Sequence, residues 1–233
     1  MRQDLAPEAL PLALAEVHRD TPVGEPVSWS VRWPHGDDAL VDVVAGAGFA
    51  DVRLAGEGIR HVGAVRARTL PDTVGPGMHL LVCGLNPSLH AADAGVGFVT
   101  ASNRFWRAAI DGGLATRPRD PWDALRSHGM GMTDLVKRAT RRADELSPAE
   151  YRTGLERVER LCAWLQPGAV LCVGLAGWRA AVDRRADVGI QGRTLGGRPV
   201  YVMPSTSGLN ARTSIDDLVA HLRAALALAR SVG

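Results

Sequence analysis

Cysteine is scarce in this chain, and neither sign of charge dominates it. Only three cysteines occur among 233 residues, at 83, 162 and 172, each in an apolar run with no CxxC spacing and no partner histidine. An odd number so placed argues against a disulfide framework and reads instead as three small core residues. The 27 basic and 25 acidic side chains leave a formal charge of +2. Bulk charge therefore does not draw the chain to polyanions, and contact with one needs a local patch. No stretch approaches the ~18 apolar residues of a membrane span. The opening MRQDLAPEALPLALAEVHRD carries an acidic residue at position four and only a short apolar segment, unlike a secretory leader. A reduced, cytoplasmic protein is expected.

Common catalytic signatures are missing as well. The sequence holds no GxSxG elbow, no GxxxxGK[ST] loop, no HExxH pair and no complete GxGxxG; AGAGFAD (45–51) is a truncated glycine pair. Its seven histidines are scattered without metal-ligand spacing. Neither a metal nor a cofactor is expected, and a nucleotide-binding α/β enzyme becomes a weak alternative.

What is present is a regular alternation. RTLPDTVGPGMH (68–79) punctuates the chain with two prolines and two glycines, separating an extension over 1–70 from a main domain over 71–233. Buried strands are predicted at HLLVCGL (79–85), GMGMTDLV (129–136), AVLCVGL (169–175) and RPVYVMPS (198–205). Helices are predicted at 102–114, 147–168, 176–182 and 214–229. The second of these begins with Ser147 as N-cap, Pro148 in the first turn and Glu150 completing a capping box. Such alternation predicts an α/β fold, a three-layer α/β/α sandwich around a mostly parallel sheet. The extension reads as a small α+β unit, with helix, strand, glycine-rich turn and strand over 37–69. In parallel sheets, sites lie beyond the carboxyl ends of the strands. That rule selects the loops after Leu85, Val136 and Met203.

Those loops carry a particular chemistry. In GLNPS (84–88), Pro87 biases Asn86 toward extended backbone, so its side chain projects from the strand end. An amide offers one acceptor and one donor group without titrating, and so can hold a water or a carbonyl. Gly95 and Gly97 flank a bend that can leave Phe98 open to a planar ligand. Asn103 and Arg104 open a helix, where backbone amides attract phosphate. MPSTSGLNARTS (203–214) is rich in hydroxyls and amides suited to a phosphate clamp, with Leu209 as a candidate wedge between base steps. KRATRR (137–142) adds four cations beyond the second strand.

From about residue 70 to 229 the sequence resembles the mismatch-specific uracil/thymine-DNA glycosylases, a branch of the uracil-DNA glycosylase superfamily. GLNPSLHAADAGVGFVTASNRFW (84–106) aligns without gaps with the first motif of that branch, GMTDLVKRATRRADELS with an intermediate segment, and VMPSTSGLNA with the second motif. The resemblance implies a cofactor-free, monofunctional glycosylase of base excision repair that flips a base from duplex DNA. It would hydrolyse the N-glycosidic bond of uracil, or thymine, opposite guanine and leave an abasic site. It implies Asn86 as the catalytic residue that places water at the anomeric carbon. A base-binding set of Leu85, Ala92, Phe98 and Asn103 follows by position. Ser205, Thr206, Ser207, Gly208 and Asn210 would lie at the phosphate, with Leu209 filling the vacated stack. The partner would be double-stranded DNA bearing a mismatched or damaged base, met by a monomer associated with the nucleoid. A glycosylase for hypoxanthine or a modified pyrimidine, or a non-catalytic binder of damaged DNA, stand as alternatives. Ser88 replaces the usual glycine of the first motif, and an amide replaces the carboxylate of faster relatives, which predicts slow catalysis.

Overall fold

The computed structural model describes residues 5–231. Its main sheet has five strands in the order β5-β4-β6-β8-β7. The parallel members are β4 (Leu80–Gly84), β5 (Met130–Asp134), β6 (Ala169–Val173) and β8 (Val200–Met203), with β7 (Gly189–Ile190) antiparallel at one edge. Side-chain alternation divides the strands between two cores. Leu80, Val82, Met130, Met132, Leu171 and Met203 face one side, with α4 (Phe105–Asp111) and α8 (Ile215–Arg230). Leu81, Cys83, Val170, Val200 and Val202 face the other, with α6 (Pro148–Leu165) and α7 (Leu175–Ala181). The predicted three-layer arrangement is present, with helices over both faces.

Local signals explain most of these elements. Ser147 Oγ accepts from Glu150 N while the Glu150 carboxylate accepts from Ser147 N at 2.8 Å, so the capping box that starts α6 is closed. The helix stops at Gln166, which adopts a left-handed φ of 49°. Two short helices had not been expected: α3 (Leu89–Ala94) and α5 (Pro121–His128), each opened by a side-chain cap, Ser88 and Asp120.

The extension forms its own layer. A three-stranded antiparallel sheet, ordered β1-β3-β2, consists of β1 (Pro26–Arg32), β2 (Phe49–Ala55) and β3 (Ile59–Arg66). Helices α1 (Leu10–Asp20) and α2 (Asp37–Gly46) cover it, enclosing Leu10, Leu14, Val31, Leu40, Val44, Phe49 and Val62. The elements predicted over 37–69 are α2, β2 and β3; α1 and β1 are additional.

This unit is fastened to α6. Trp33 packs edge-on against Trp164 at 5.7 Å, and Arg160 pairs with Asp42. Beneath them Asp72 and Arg157, both buried, form an ion pair at 2.7 Å. Asp72 also accepts from Thr133 Oγ1 at 2.7 Å and from Lys137 Nζ at 2.8 Å, while its backbone N donates to Gly46 O. A side chain at residue 46 would overlap both Asp72 and Arg157, so the close approach requires glycine there.

Candidate active site

Beyond β4 and β5 the two chains stay laced together. Leu135 N donates to Gly84 O and Val136 N to Leu85 O, both at 2.9 Å. Further out, Thr140 N donates to Pro87 O at 3.1 Å and Leu89 N to Thr140 O at 3.2 Å. Asn86 lies within this lacing. Its Nδ2 donates to Thr140 Oγ1 at 2.8 Å, to Arg138 O at 3.0 Å and to Pro87 O at 3.2 Å. Two of those acceptors are carbonyls, which fixes the nitrogen, not the oxygen, on that side. Among the described residues no group donates to Oδ1. The amide is therefore anchored through its donor end and keeps its acceptor end free.

Phe98 lies on the face of the sheet that carries Val82 and Met132. Its ring stacks on Phe105 with centroids 4.3 Å apart and planes 23° from parallel. Its φ is 56°, a left-handed value that costs a bulky residue of the order of 1–3 kcal/mol. Local strain of this kind persists where surroundings impose it. Here Trp106 Nε1 holds Gly97 O at 2.9 Å, just before the strained residue. The space beside the ring is lined by Leu70, Pro71, Trp122, Met132 and Asp134.

Asp134 is the C-terminal residue of β5 and pairs in register with Gly84. Alternation places its side chain on the same face as Met132, Gly84 and Phe98. A Cβ at residue 84 would overlap Asp134 Oδ1 and lie 3.5 Å from Phe98 Cζ, so the missing side chain of Gly84 makes room for this carboxyl. Burial pushes the Asp134 carboxyl up to about 6; Lys137 opposes that rise, Asp72 adds to it, and Arg157 opposes it.

The loop after β8 is held from beneath by Arg104. Its guanidinium donates to Thr213 O, to Asn210 O at 2.7 Å and to Ser207 O at 3.4 Å, and its backbone N donates to Thr206 O. Asn210 Nδ2 closes the loop through Ser205 O at 2.8 Å and Thr213 Oγ1 at 3.0 Å. Ser205 and Ser207 hydroxyls accept from backbone N–H groups two residues on, which leaves their protons free to donate outward. Gly208 lies over Ser102. Leu209 projects from the tip and is 96% exposed.

The sequence-derived residues are placed unequally. Asn86 follows the end of β4, Phe98 lies in the turn after α3 with its ring beside Gly84 and Asp134, and Ser205, Ser207, Gly208, Leu209 and Asn210 form one surface loop. Thr206 is buried at 1% exposure, with Oγ1 unpartnered, so its hydroxyl does not face outward. Of the four base-binding candidates, only Phe98 lines the space beside its ring. Leu85 points to the opposite face, toward Gly177, and Ala92 is buried in α3. Asn103 Oδ1 accepts from Phe105 N at 2.9 Å and so caps the start of α4. Arg104 turns to loop carbonyls instead of outward. Asp134 and Thr140 were not singled out, although both lie in GMTDLVKRAT, the segment already matched to a motif.

The fold is thus an α/β sandwich with an anchored amide and a hydroxyl-rich loop beyond the carboxyl ends of its parallel strands. The family model of the uracil DNA glycosylase superfamily matches residues 71–228, and the chain belongs to that superfamily. Its members are DNA glycosylases, hydrolases of N-glycosyl bonds that act on DNA.

Proposed function

We propose that the protein removes uracil, and less readily thymine, mispaired with guanine in double-stranded DNA. The observation that carries this reading is Asn86, just beyond the end of β4, anchored through Nδ2 with Oδ1 free. The glycosidic bond can break dissociatively, the base leaving as an anion and the sugar becoming cationic. An enzyme then has to place water and stabilise charge, and no strong base is required. Asn86 Oδ1 accepts from the attacking water and points its lone pair at the anomeric carbon. Phe98 supports the extruded base by stacking. Ser205, Ser207 and nearby backbone amides hold the flanking phosphate, and Leu209 fills the vacated stack. Unstacking costs a few kcal/mol and least for a mispaired base, so a slow catalyst favours mismatches. The enzyme acts as a monomer in the cytoplasm, on nucleoid DNA.

Single-turnover excision from G·U, G·T and A·U duplexes tests this. Cleavage should follow the order G·U, G·T, A·U, and Asn86→Ala should abolish it while duplex binding persists. Full excision by Asn86→Ala would remove the assignment. Absence of excision from every duplex would remove the activity.

A further inference from the structure

The seam between the extension and α6 encloses a cavity of about 150 Å³. Both units contribute to its wall. Trp33, Ala39 and Val43 face it from the loop after β1 and from α2, and Leu161 and Trp164 face it from α6. Charged side chains also reach the wall, but they are already matched in pairs, Asp42 with Arg160 and Asp72 with Arg157. Arg157 Nε and Trp164 Nε1 lack an acceptor among the described residues, and both atoms are sealed beneath the surface. What the cavity offers an occupant is therefore mostly apolar and carries no unmatched charge. A water held there needs roughly two to four polar partners, and a dry void deprives its lining of dispersion contacts.

The rim has one polar group to spare. His35 is an exposed member of the wall, and neither of its ring nitrogens has a hydrogen-bond partner among the described residues. Its ring stands edge-on to Trp33 at 5.2 Å and to Trp164 at 6.1 Å, while the two indoles meet at 5.7 Å. Rings in such mutual edge contact leave no gap between them for a cation, so they do not form a cage of the kind that grips quaternary ammonium groups. They suit a further ring instead, since aromatic pairs favour edge-to-face or offset contact at about 4.5–7 Å between centroids.

We infer that this seam binds a small uncharged aromatic molecule of one or two fused rings, its ring between α2 and α6 and one N–H or O–H turned to His35. A neutral imidazole nitrogen accepts such a bond. An apolar cavity of this size takes up a benzene-sized ring, and ligand sites favour the interfaces between domains. A ligand of either charge would set itself against one member of each wall pair. Because both units supply the wall, an occupant ties them together and stabilises the native chain by mass action. The cavity shares no residue with the loops proposed to handle DNA.

Calorimetric titration of the full chain with indole, toluene and tetramethylammonium tests this, toluene being the ring without a polar group. Indole should bind with a Kd below about 1 mM, toluene roughly threefold to tenfold more weakly, and tetramethylammonium more weakly than both. With about 5 mM indole, Tm should rise by about 2–5 °C. Ala39→Leu fills the cavity and should weaken indole at least about tenfold, while its own Tm stays at or above that of the wild type. Ala39→Met is a second filling variant, its flexible chain suiting an irregular gap. His35→Ala should bring indole to the level of toluene and leave toluene unchanged. No indole binding to the wild type, or equal binding to the wild type and both filled variants, overturns the site. Tetramethylammonium binding more tightly than indole overturns the ligand class. Each of those results leaves the proposed uracil excision standing.

Discussion

Asn86 Nδ2 lies 2.8 Å from Thr140 Oγ1, a side-chain hydrogen bond between the loops that follow two neighbouring strands. Thr140 is buried, and its own backbone bonds Pro87 and Leu89, just after Asn86. Its hydroxyl therefore acts as a stop against which the amide is turned. Thr140→Val removes that stop at nearly constant volume, leaving Nδ2 the carbonyls of Arg138 and Pro87. Misplacement of a catalytic group by a fraction of an ångström to 1 Å costs up to about 100-fold. Excision should fall roughly 10-fold or more in kcat with KM little changed, and Thr140→Ser should recover most of it. Equal losses in both variants would assign Thr140 to packing.

Arg157 and Asp72 form a buried pair, so removing one partner strands the other. Arg157→Met leaves the Asp72 carboxylate with Lys137 and Thr133 alone. An uncompensated buried charge costs about 3–5 kcal/mol, and Lys137, still 2.8 Å from Asp72, offsets part of that. The unfolding midpoint in urea should fall accordingly, and the double variant with Asp72→Asn should recover part of the loss. Strict additivity of the two single changes would mean that the pair does not interact.

His18 is buried beneath β3, with Nε2 3.3 Å from Ala67 O. Burial, aided by Arg66, lowers its pKa to about 4, against 6.5 when unfolded. Between those values the unfolded chain binds a proton that the folded chain refuses, so stability is complete above about pH 6.5 and lost as pH falls toward 4. Thermal melting should show Tm dropping through this window, and less steeply in His18→Gln. A Tm independent of pH between 6.5 and 4.5 would contradict it.

The main sheet was legible because buried parallel strands are short, apolar and bounded by breakers, as in HLLVCGL and AVLCVGL. Helix α6 was legible from its capping box, its apolar stripe from Leu155 to Leu165 and the Pro167–Gly168 stop. The signal for β1 was present too, since Val27, Trp29 and Val31 alternate with serines, but Pro26 and the polar flanks obscured it. In α1, Pro11 sits in the first turn, where a proline is tolerated. Asn86 and Phe98 were legible as candidates by residue type in the segment that follows β4. The site was illegible wherever function depends on contacts across the fold. Arg104 reads from sequence as a phosphate ligand at a helix start, yet the structure gives it three carbonyls roughly a hundred residues away in the chain. Asp134 reads as an ordinary polar strand end until the missing side chain of Gly84 is set opposite it.

Leu70 and Pro71 stand between the extension and the main sheet, yet they also wall the space beside Phe98. The seam between the two units thus runs along one wall of that space. A chain cut back past Pro71 would keep every motif loop and all five strands of the main sheet. It would also open that space to water, raising the local dielectric where, on the proposed function, a departing anion is steadied. Such a fragment would be a glycosylase with its back wall removed, correct in its residues and wrong in its solvent.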